Sequence, residues 1–247
     1  MNEVIKNEII KNGRAMLKPS WDEWDNTQTD MQKGLPIPTL GTAEGKLIPL
    51  ADFSALKKQS LSLIDCIQNR RSARKYSPAP LTFEELSYLV WAACGVSEVR
   101  KGTPLRTYAS GGNTQALNAY IWADNVTGLT KGLYRHMPLE NGLVFIGGEE
   151  RREQLYAAYQ AFNAQTVFIW TAVPYRTEYR YSTVTHKMIA MEAGHACQNL
   201  YLAAESLGMG CVAIAAYSQK NADKLLNLPD PEEEFVIYMA AAGRVAE

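Results

Sequence analysis

The segment 187–207 limits the fold more than any other stretch of this chain. Ile189, Ala193, Ala196, Leu200, Ala203 and Leu207 recur at helical spacing, and Met188, Met191, Tyr201, Leu202 and Ala204 put apolar groups on the remaining faces. A helix that is apolar nearly all round is expected to be buried on all sides. Gly208 and Gly210 end it, and the apolar runs 211–216 and 235–242 that follow read as buried strands. Upstream, helices are interspersed with hairpin signals in no regular alternation. That order favours an α+β class over a doubly wound sheet.

Other elements follow from local chemistry. Ser62 and Asp65 suggest a capped helix that ends at Arg70-Arg71, and Thr82 with Glu85 forms a second capping-box pattern, stapled by Leu81 and Leu86 and stopped by Gly95. Segments 119–124, 131–136, 143–146 and 166–173 read as strands, with turn signals at Gly128 and at Asn141-Gly142. Segment 149–162 reads as a helix with an acidic start. The first fifty residues carry scattered Pro and Gly, with Trp21 and Trp24 but no sustained period. They are expected to form an extended arm, 1–59, packed on a domain of residues 60–247.

The charge balance narrows the function classes. There are 25 Lys and Arg against 26 Asp and Glu, a net charge of −1, which argues against chain-wide attraction to nucleic acid or anionic lipid. The four cysteines, Cys66, Cys94, Cys197 and Cys211, stand alone in apolar surroundings and are expected to be reduced and buried. The polar start lacks the apolar core of a signal peptide, and no run approaches the roughly 20 residues that span a bilayer, so a cytoplasmic protein is expected.

Three segments could carry chemistry. Arg70, Arg71, Ser72, Arg74 and Lys75 gather four cations and a hydroxyl in six residues. Guanidinium forks match phosphate oxygens, so an anion site fits, as does a solvated basic face or, less well, a nucleic-acid patch. Ser110-Gly111-Gly112-Asn113 is either a close-approach loop for a ligand or a polar turn. Residues 208–217 place small side chains after the central helix, either beneath a planar ring or in a tightly packed strand. His195 reads as a core histidine rather than a catalytic base, and no cluster has metal-ligand spacing.

Taken in this order, the R-R-S-x-R run, the A-S-G-G-N loop, the phrase Glu192-Ala193-Gly194-His195-Ala196-Cys197-Gln198-Asn199-Leu200 and L-G-x-G resemble the nitroreductase-like flavoproteins. The central phrase is similar to that of the SagB-type branch, which includes azoline-oxidising peptide dehydrogenases. The resemblance spans about residues 60–245. It implies an α+β fold with a mostly antiparallel central sheet flanked by helices, and an interlocked homodimer holding FMN at the subunit interface. Arg70, Arg71, Ser72 and Arg74 would then be phosphate and pyrimidine-edge ligands, with Arg74 at the edge of the ring where reduction adds negative charge. Ser110, Gly111, Gly112 and Asn113 would come from the partner subunit. Ala213, Ile214, Ala215 and Ala216 would run along one ring face, with the Ala215 N–H near the hydride-accepting nitrogen. Gly243 and Arg244 would lie near the phosphate, and Gln160 near the ring.

The same resemblance implies NAD(P)H as a transient donor and a small acceptor, a nitroaromatic or a quinone, in a ping-pong cycle. The alternatives are peptide azoline oxidation and a flavin-binding protein without turnover. The Lys-Tyr pair of azoline-oxidising members corresponds to Glu178-Tyr179 here, which replaces a cation by an anion. Neither nucleic acid nor membrane is an expected partner.

Overall fold

Strands that read as unbroken apolar runs need cover on both faces, and the structure supplies it. The computed structural model describes residues 8–58, 60–159, 162–228, 230 and 232–246. In chain order these form α1 (Glu8–Met16), β1 (Leu47–Pro49), α2 (Leu63–Asn69), α3 (Phe83–Cys94), β2 (Val96–Arg100) and β3 (Thr103–Arg106). Then come β4 (Leu117–Ala123), β5 (Gly132–Met137), β6 (Gly142–Gly147), α4 (Arg152–Ala158), β7 (Thr166–Ala172), α5 (Tyr175–Tyr181), α6 (His186–Ser206), β8 (Met209–Ile214), α7 (Gln219–Leu226) and β9 (Phe235–Arg244). Seven strands make one antiparallel sheet in the order β1-β6-β5-β4-β7-β9-β8. The fold is α+β, as expected.

Side chains alternate between the two faces of the sheet. Leu117, Ala119 and Ile121 of β4, Phe168 and Trp170 of β7 and Ala240 of β9 pack toward α3 and α6. Tyr120, Trp122, Val167, Ile169, Met239 and Ala241 pack on the other face, toward α4 and α7. The β4–β7 register sets Ile121 opposite Phe168 and Trp122 opposite Val167, so each face is continuous across the strands.

Both N-terminal caps form. Thr82 accepts from the Glu85 N–H at 3.2 Å while the Glu85 carboxylate accepts from the Thr82 N–H at 2.8 Å. Ser62 completes half of the motif: it accepts from the Asp65 N–H, but the Asp65 carboxylate accepts from the Ser62 hydroxyl at 2.6 Å instead of from the backbone. Gly95 follows α3 in an extended conformation, where a Cβ would meet the Trp91 carbonyl oxygen at 2.6 Å, so the position is restricted to glycine.

Several expectations need correction. Within a single chain, the α6 helix is buried on one side. Ile189, Ala193, Ala196, Leu200 and Ala204 face the core, whereas Ala190, Met191, Gly194, His195 and Gln198 form an exposed stripe, because the sheet covers one flank. His195 is therefore a surface residue, its Nδ1 donating to the Ala109 carbonyl at 3.0 Å. The buried histidine is His136, 3% exposed. The 149–162 helix is shorter: a single tight turn precedes α4, and Tyr159 leaves the helix to bridge Tyr217.

The arm is more regular than expected. It contains α1, and β1 pairs with β6 as the edge strand of the main sheet. Arg135 of β5 donates to the Thr42 carbonyl, Phe53 packs on Tyr88 and Trp91 of α3, and the stretch from Trp21 to Leu35 meets α5. The Met31 N–H donates to the Tyr179 carbonyl at 3.0 Å, Tyr179 donates to the Leu35 carbonyl at 2.9 Å, and Trp21 and Trp24 both pack on the Tyr181 ring.

Candidate active site

The basic run begins where α2 stops and continues along the outer edge of β8. Ser72 bridges Cys211, and the Ala73 N–H donates to the Cys211 carbonyl at 3.0 Å. Gly210 permits this approach, since a Cβ there would overlap the Ala73 methyl. Tyr201 of α6 ties the segment together. Its hydroxyl lies 3.0 Å from Ser72 Oγ and accepts from the Ala213 N–H at 2.8 Å, while the Arg70 guanidinium sits 5.1 Å above its ring. Tyr201 is absent from the sequence-derived site, because within an apolar helix it reads as a packing residue.

The cations of this run have no acid partners among the described residues. Arg71 donates to the Gln68 and Arg70 carbonyls and Arg74 to the Ser72 carbonyl. Among the described residues, none of Arg70, Arg71, Arg74 and Lys75 forms an ion pair. Four uncompensated cations beside a hydroxyl are the donor set that an oxyanion such as a phosphate group requires. Ala215 and Ala216 are exposed just beyond β8, close in sequence to the half-buried Ala213, while Ile214 turns its side chain into the core beneath α4 and α7.

The 110–113 turn lies toward the other end of α6. Ser110 donates to Glu192 Oε2 at 2.7 Å and accepts from the Gln115 N–H at 2.9 Å. Gly111 abuts Met188, and Gly112, at φ +59°, has no room for a Cβ beside the Tyr181 hydroxyl. Asn113 donates to the Pro104 carbonyl at 3.1 Å. Burial raises the Glu192 carboxyl above its ordinary range, offset in part by the Ser110 hydrogen bond. Glu192 and Tyr201 are nine residues apart, which along a helix is about 13 Å. Within one chain the turn and the basic run therefore stand well apart.

Other sequence-derived residues are placed differently. Gly243 pairs with Gly210, but the Arg244 guanidinium turns to Glu85, with both carboxylate oxygens at 2.8 Å, and to the Pro80 carbonyl. It is engaged by the cap of α3 and does not join the basic run. Gln160 lies outside the described residues. Glu178 accepts from His186 Nε2 at 3.1 Å, and Tyr179 is buried against the arm. All four cysteines are free and buried, and burial pushes the thiols of Cys94 and Cys197 up to about 12. No metal-binding group of three or more His, Cys, Asp or Glu occurs among the described residues, and no helix among them is long and apolar enough to cross a membrane.

With this geometry in view, a sequence profile of the nitroreductase family matches residues 67–244. The chain belongs to the nitroreductase family. A Methanocaldococcus jannaschii protein named as a nitroreductase is 33% identical over 193 residues, covering 76% of this chain and 94% of that protein. A Ralstonia eutropha crystal structure named as a nitroreductase superposes with a TM-score of 0.68 at 26% identity, over 86% of this chain and 95% of that one. The E. coli microcin synthetase McbBCD complex with truncated pro-MccB17 bound gives a TM-score of 0.63 at 15% identity, over 97% of this chain and 93% of that one, a likeness of fold alone. The nitroreductase-family match starts inside α2 and ends on β9, so it includes the basic run and β8 and leaves out β1 and the arm.

Proposed function

We propose that this chain is an FMN-dependent oxidoreductase that uses NAD(P)H to reduce small acceptors such as quinones or nitroaromatics, in the cytoplasm. The observation that carries the reading is the run of four cations without acid partners among the described residues, fixed through Tyr201 to the backbone of β8. Arg70, Arg71 and Ser72 would hold the phosphate, and Arg74 would face the pyrimidine edge. The backbone of Ala213, Ile214, Ala215 and Ala216 would support one ring face. FMN, when bound, supplies the hydride chemistry, and the protein orients it and sets its electrostatics. Arg74 contributes a fixed positive charge, which acts without reorganising during the reaction. Ser110, Gly111, Gly112 and Asn113 would serve the site of the partner subunit, consistent with their distance from the basic run on their own chain. Residues 60–247 form the FMN-binding domain in this reading, with 1–59 as the arm packed on it.

Purified protein is expected to be yellow, with noncovalent FMN near one per chain, and to oxidise NAD(P)H with menadione or a nitrobenzoate. A shared pocket for donor and acceptor predicts parallel lines in double-reciprocal plots. A colourless protein that takes up no FMN would remove the reading, and flavin without turnover would leave only a binding protein. Azoline oxidation is the second reading, supported by the likeness of the Glu192–Leu200 phrase to the SagB-type branch. The acid at Glu178, paired with His186, speaks against it. Faster oxidation of an azoline-containing peptide with oxygen than reduction of menadione would reverse that preference.

The active unit is proposed to be a homodimer. Leu63, Ile64 and Ile67 of α2 are 64%, 76% and 61% exposed, and Met191 of α6 is 51% exposed. The three α2 side chains share one helix face, and exposed apolar clusters of this kind mark interaction surfaces; an obligate interface buries roughly 2,000 Å² or more. Trp21 and Trp24 pack on Tyr181 of their own chain. Sedimentation should give a dimer at micromolar concentration, shifted toward monomer by Ile64→Lys. A wild-type monomer that retains FMN would contradict the interface.

A further inference from the structure

A cavity of about 410 Å³ lies away from this chain's own basic run, between the arm, the β2–β3 hairpin, the 110–115 turn and α5, and Gly112 and Asn113, which the proposed function gives to the flavin site of the partner subunit, form part of its lining. Ile37, Pro38 and Leu40 give it an apolar wall, and Arg176 and Arg180 reach it from α5. The two arginines are four residues apart, so they share a helix face, where like charges repel.

No carboxylate among the described residues touches either guanidinium directly. Arg176 donates to the Thr39 carbonyl at 3.0 Å, the Gln115 carbonyl at 3.3 Å and Asn118 Oδ1 at 2.8 Å. Arg180 donates to the Gly112 carbonyl at 2.9 Å. Neither forms an ion pair among the described residues. Glu178, which lies between them in sequence, accepts from His186, and Glu234 is linked to Arg176 through the Asn118 amide. Burial pulls Arg176 down to about 10, with Arg106 and Arg135 adding to the shift and Glu234 opposing it. Ile37 remains 79% exposed, a large apolar side chain at the cavity with little covering it.

We infer that this cavity binds a small molecule with a flat apolar body and a carboxylate end, the carboxylate taken by Arg176 and Arg180 and the body laid against Ile37, Pro38 and Leu40. The volume is in the range of small-molecule sites, which combine apolar walls with a few convergent polar groups. Nη2 of Arg176 and Nη2 of Arg180 make no hydrogen bond to the described residues. One free edge from each guanidinium matches the two oxygens of a carboxylate; a phosphate offers a third oxygen with no donor assigned to it. The site also gives the arm a role, because the apolar wall comes from residues outside the family match.

Binding of benzoate, benzamide and phenyl phosphate to the full chain, followed by calorimetry or ligand-observed NMR, tests this without reliance on turnover. Benzoate should bind at least tenfold more tightly than benzamide. Arg180→Gln should weaken benzoate at least tenfold, with partial recovery in Arg180→Lys. Ile37→Glu, at an exposed position where folding is not at stake, should weaken it by a similar factor. Arg70→Ala, which lowers FMN affinity in the reading above, should leave benzoate binding in place. Equal affinity for benzoate and benzamide would overturn the proposal, as would tighter binding of phenyl phosphate or insensitivity to both Arg180→Gln and Ile37→Glu. Loss of benzoate binding in Arg70→Ala would assign the probe to the flavin site and overturn it as well. Failure of the protein to bind flavin would leave the benzoate results standing.

Discussion

Lowering the pH from 7 to 5 is expected to destabilise the folded chain by about 2 kcal/mol through His136 alone, and by roughly 3 kcal/mol at pH 4. His136 lies on β5, and its Nε2 has no hydrogen-bond partner among the described residues. Burial holds the imidazole down to about 3, and the Arg106 guanidinium adds to the shift. Cys94 from the end of α3, Arg106 from β3, Tyr108, and Asn118 and Trp170 from the sheet surround it, and none of them supplies a negative charge at neutral pH. The unfolded chain takes up a proton near pH 6.5 that the folded chain refuses until about pH 3. Stability from this residue is therefore intact above pH 6.5 and is lost as the pH falls through that window. Glu192 acts with the opposite sign, because its raised carboxyl is relieved by protonation. His136→Phe and His136→Leu isolate the histidine contribution. Urea midpoints at pH 7 and pH 5 should separate widely for the wild type and much less for either variant. Equal acid losses in all three proteins, or an imidazolium signal for His136 at pH 6, would contradict this account. Against a total stability of 5–15 kcal/mol for ordinary domains, the effect is large.

The strands and the long helix were legible because their signals are local and repeated. Residues of β4, β7 and β9 are apolar on both faces, and the structure puts helices on both faces. Thr82 and Glu85 cap α3 through bonds that reach only three residues. The exposed side of α6 was not legible. Met191 and Ala190 have the same chemistry as buried residues, and only the position of the sheet decides which flank is covered. The β2–β3 hairpin was missed although Lys101 and Gly102, both at positive φ, form its turn. Its exposed strands lack the apolar alternation by which strands are recognised, with Val99 60% exposed. The β1 strand was missed for a related reason. It is three residues long, ends in Pro49, and is set by pairing with β6 rather than by any periodicity.

The site divides in the same way. The basic run carries its message in composition, since four cations in six residues repel one another unless an anion is supplied. The competitor for a cation cannot be read along the chain. Arg244 and Glu85 are 159 residues apart in sequence, yet their charges meet at 2.8 Å. Arg176 and Arg180 gave no sequence signal because their significance lies in acids that fold elsewhere. Tyr201 hides within an apolar helix, and only the arrival of Ser72 and the Ala213 N–H at its hydroxyl separates it from a packing residue.

Arg70, Arg74 and Arg244 are expected to fail in three different ways when replaced by alanine. Arg70 is half-buried over the Tyr201 ring and carries no ion pair, so its charge is available to a phosphate. Its loss should weaken FMN by about 1.5–3 kcal/mol, roughly ten- to more than a hundredfold in Kd. The reduction potential of whatever FMN remains bound should change little, because a phosphate contact does not distinguish the oxidised from the reduced ring. Arg74 is exposed, with a long 3.5 Å contact to the Ser72 carbonyl. Facing the pyrimidine edge, it would favour the extra negative charge that reduction brings. Arg74→Ala should lower the midpoint potential by about 30–60 mV, equivalent to roughly 1.4–2.8 kcal/mol for two electrons. Arg244 already has a carboxylate partner and a carbonyl, so Arg244→Ala should lower folding stability, with FMN affinity nearly unchanged. Equilibrium dialysis, a dye-coupled redox titration and a urea midpoint on each variant separate the three. An unchanged potential in Arg74→Ala would remove that residue from the ring edge. A large loss of FMN in Arg244→Ala, with stability intact, would mean that the guanidinium leaves Glu85 for the phosphate.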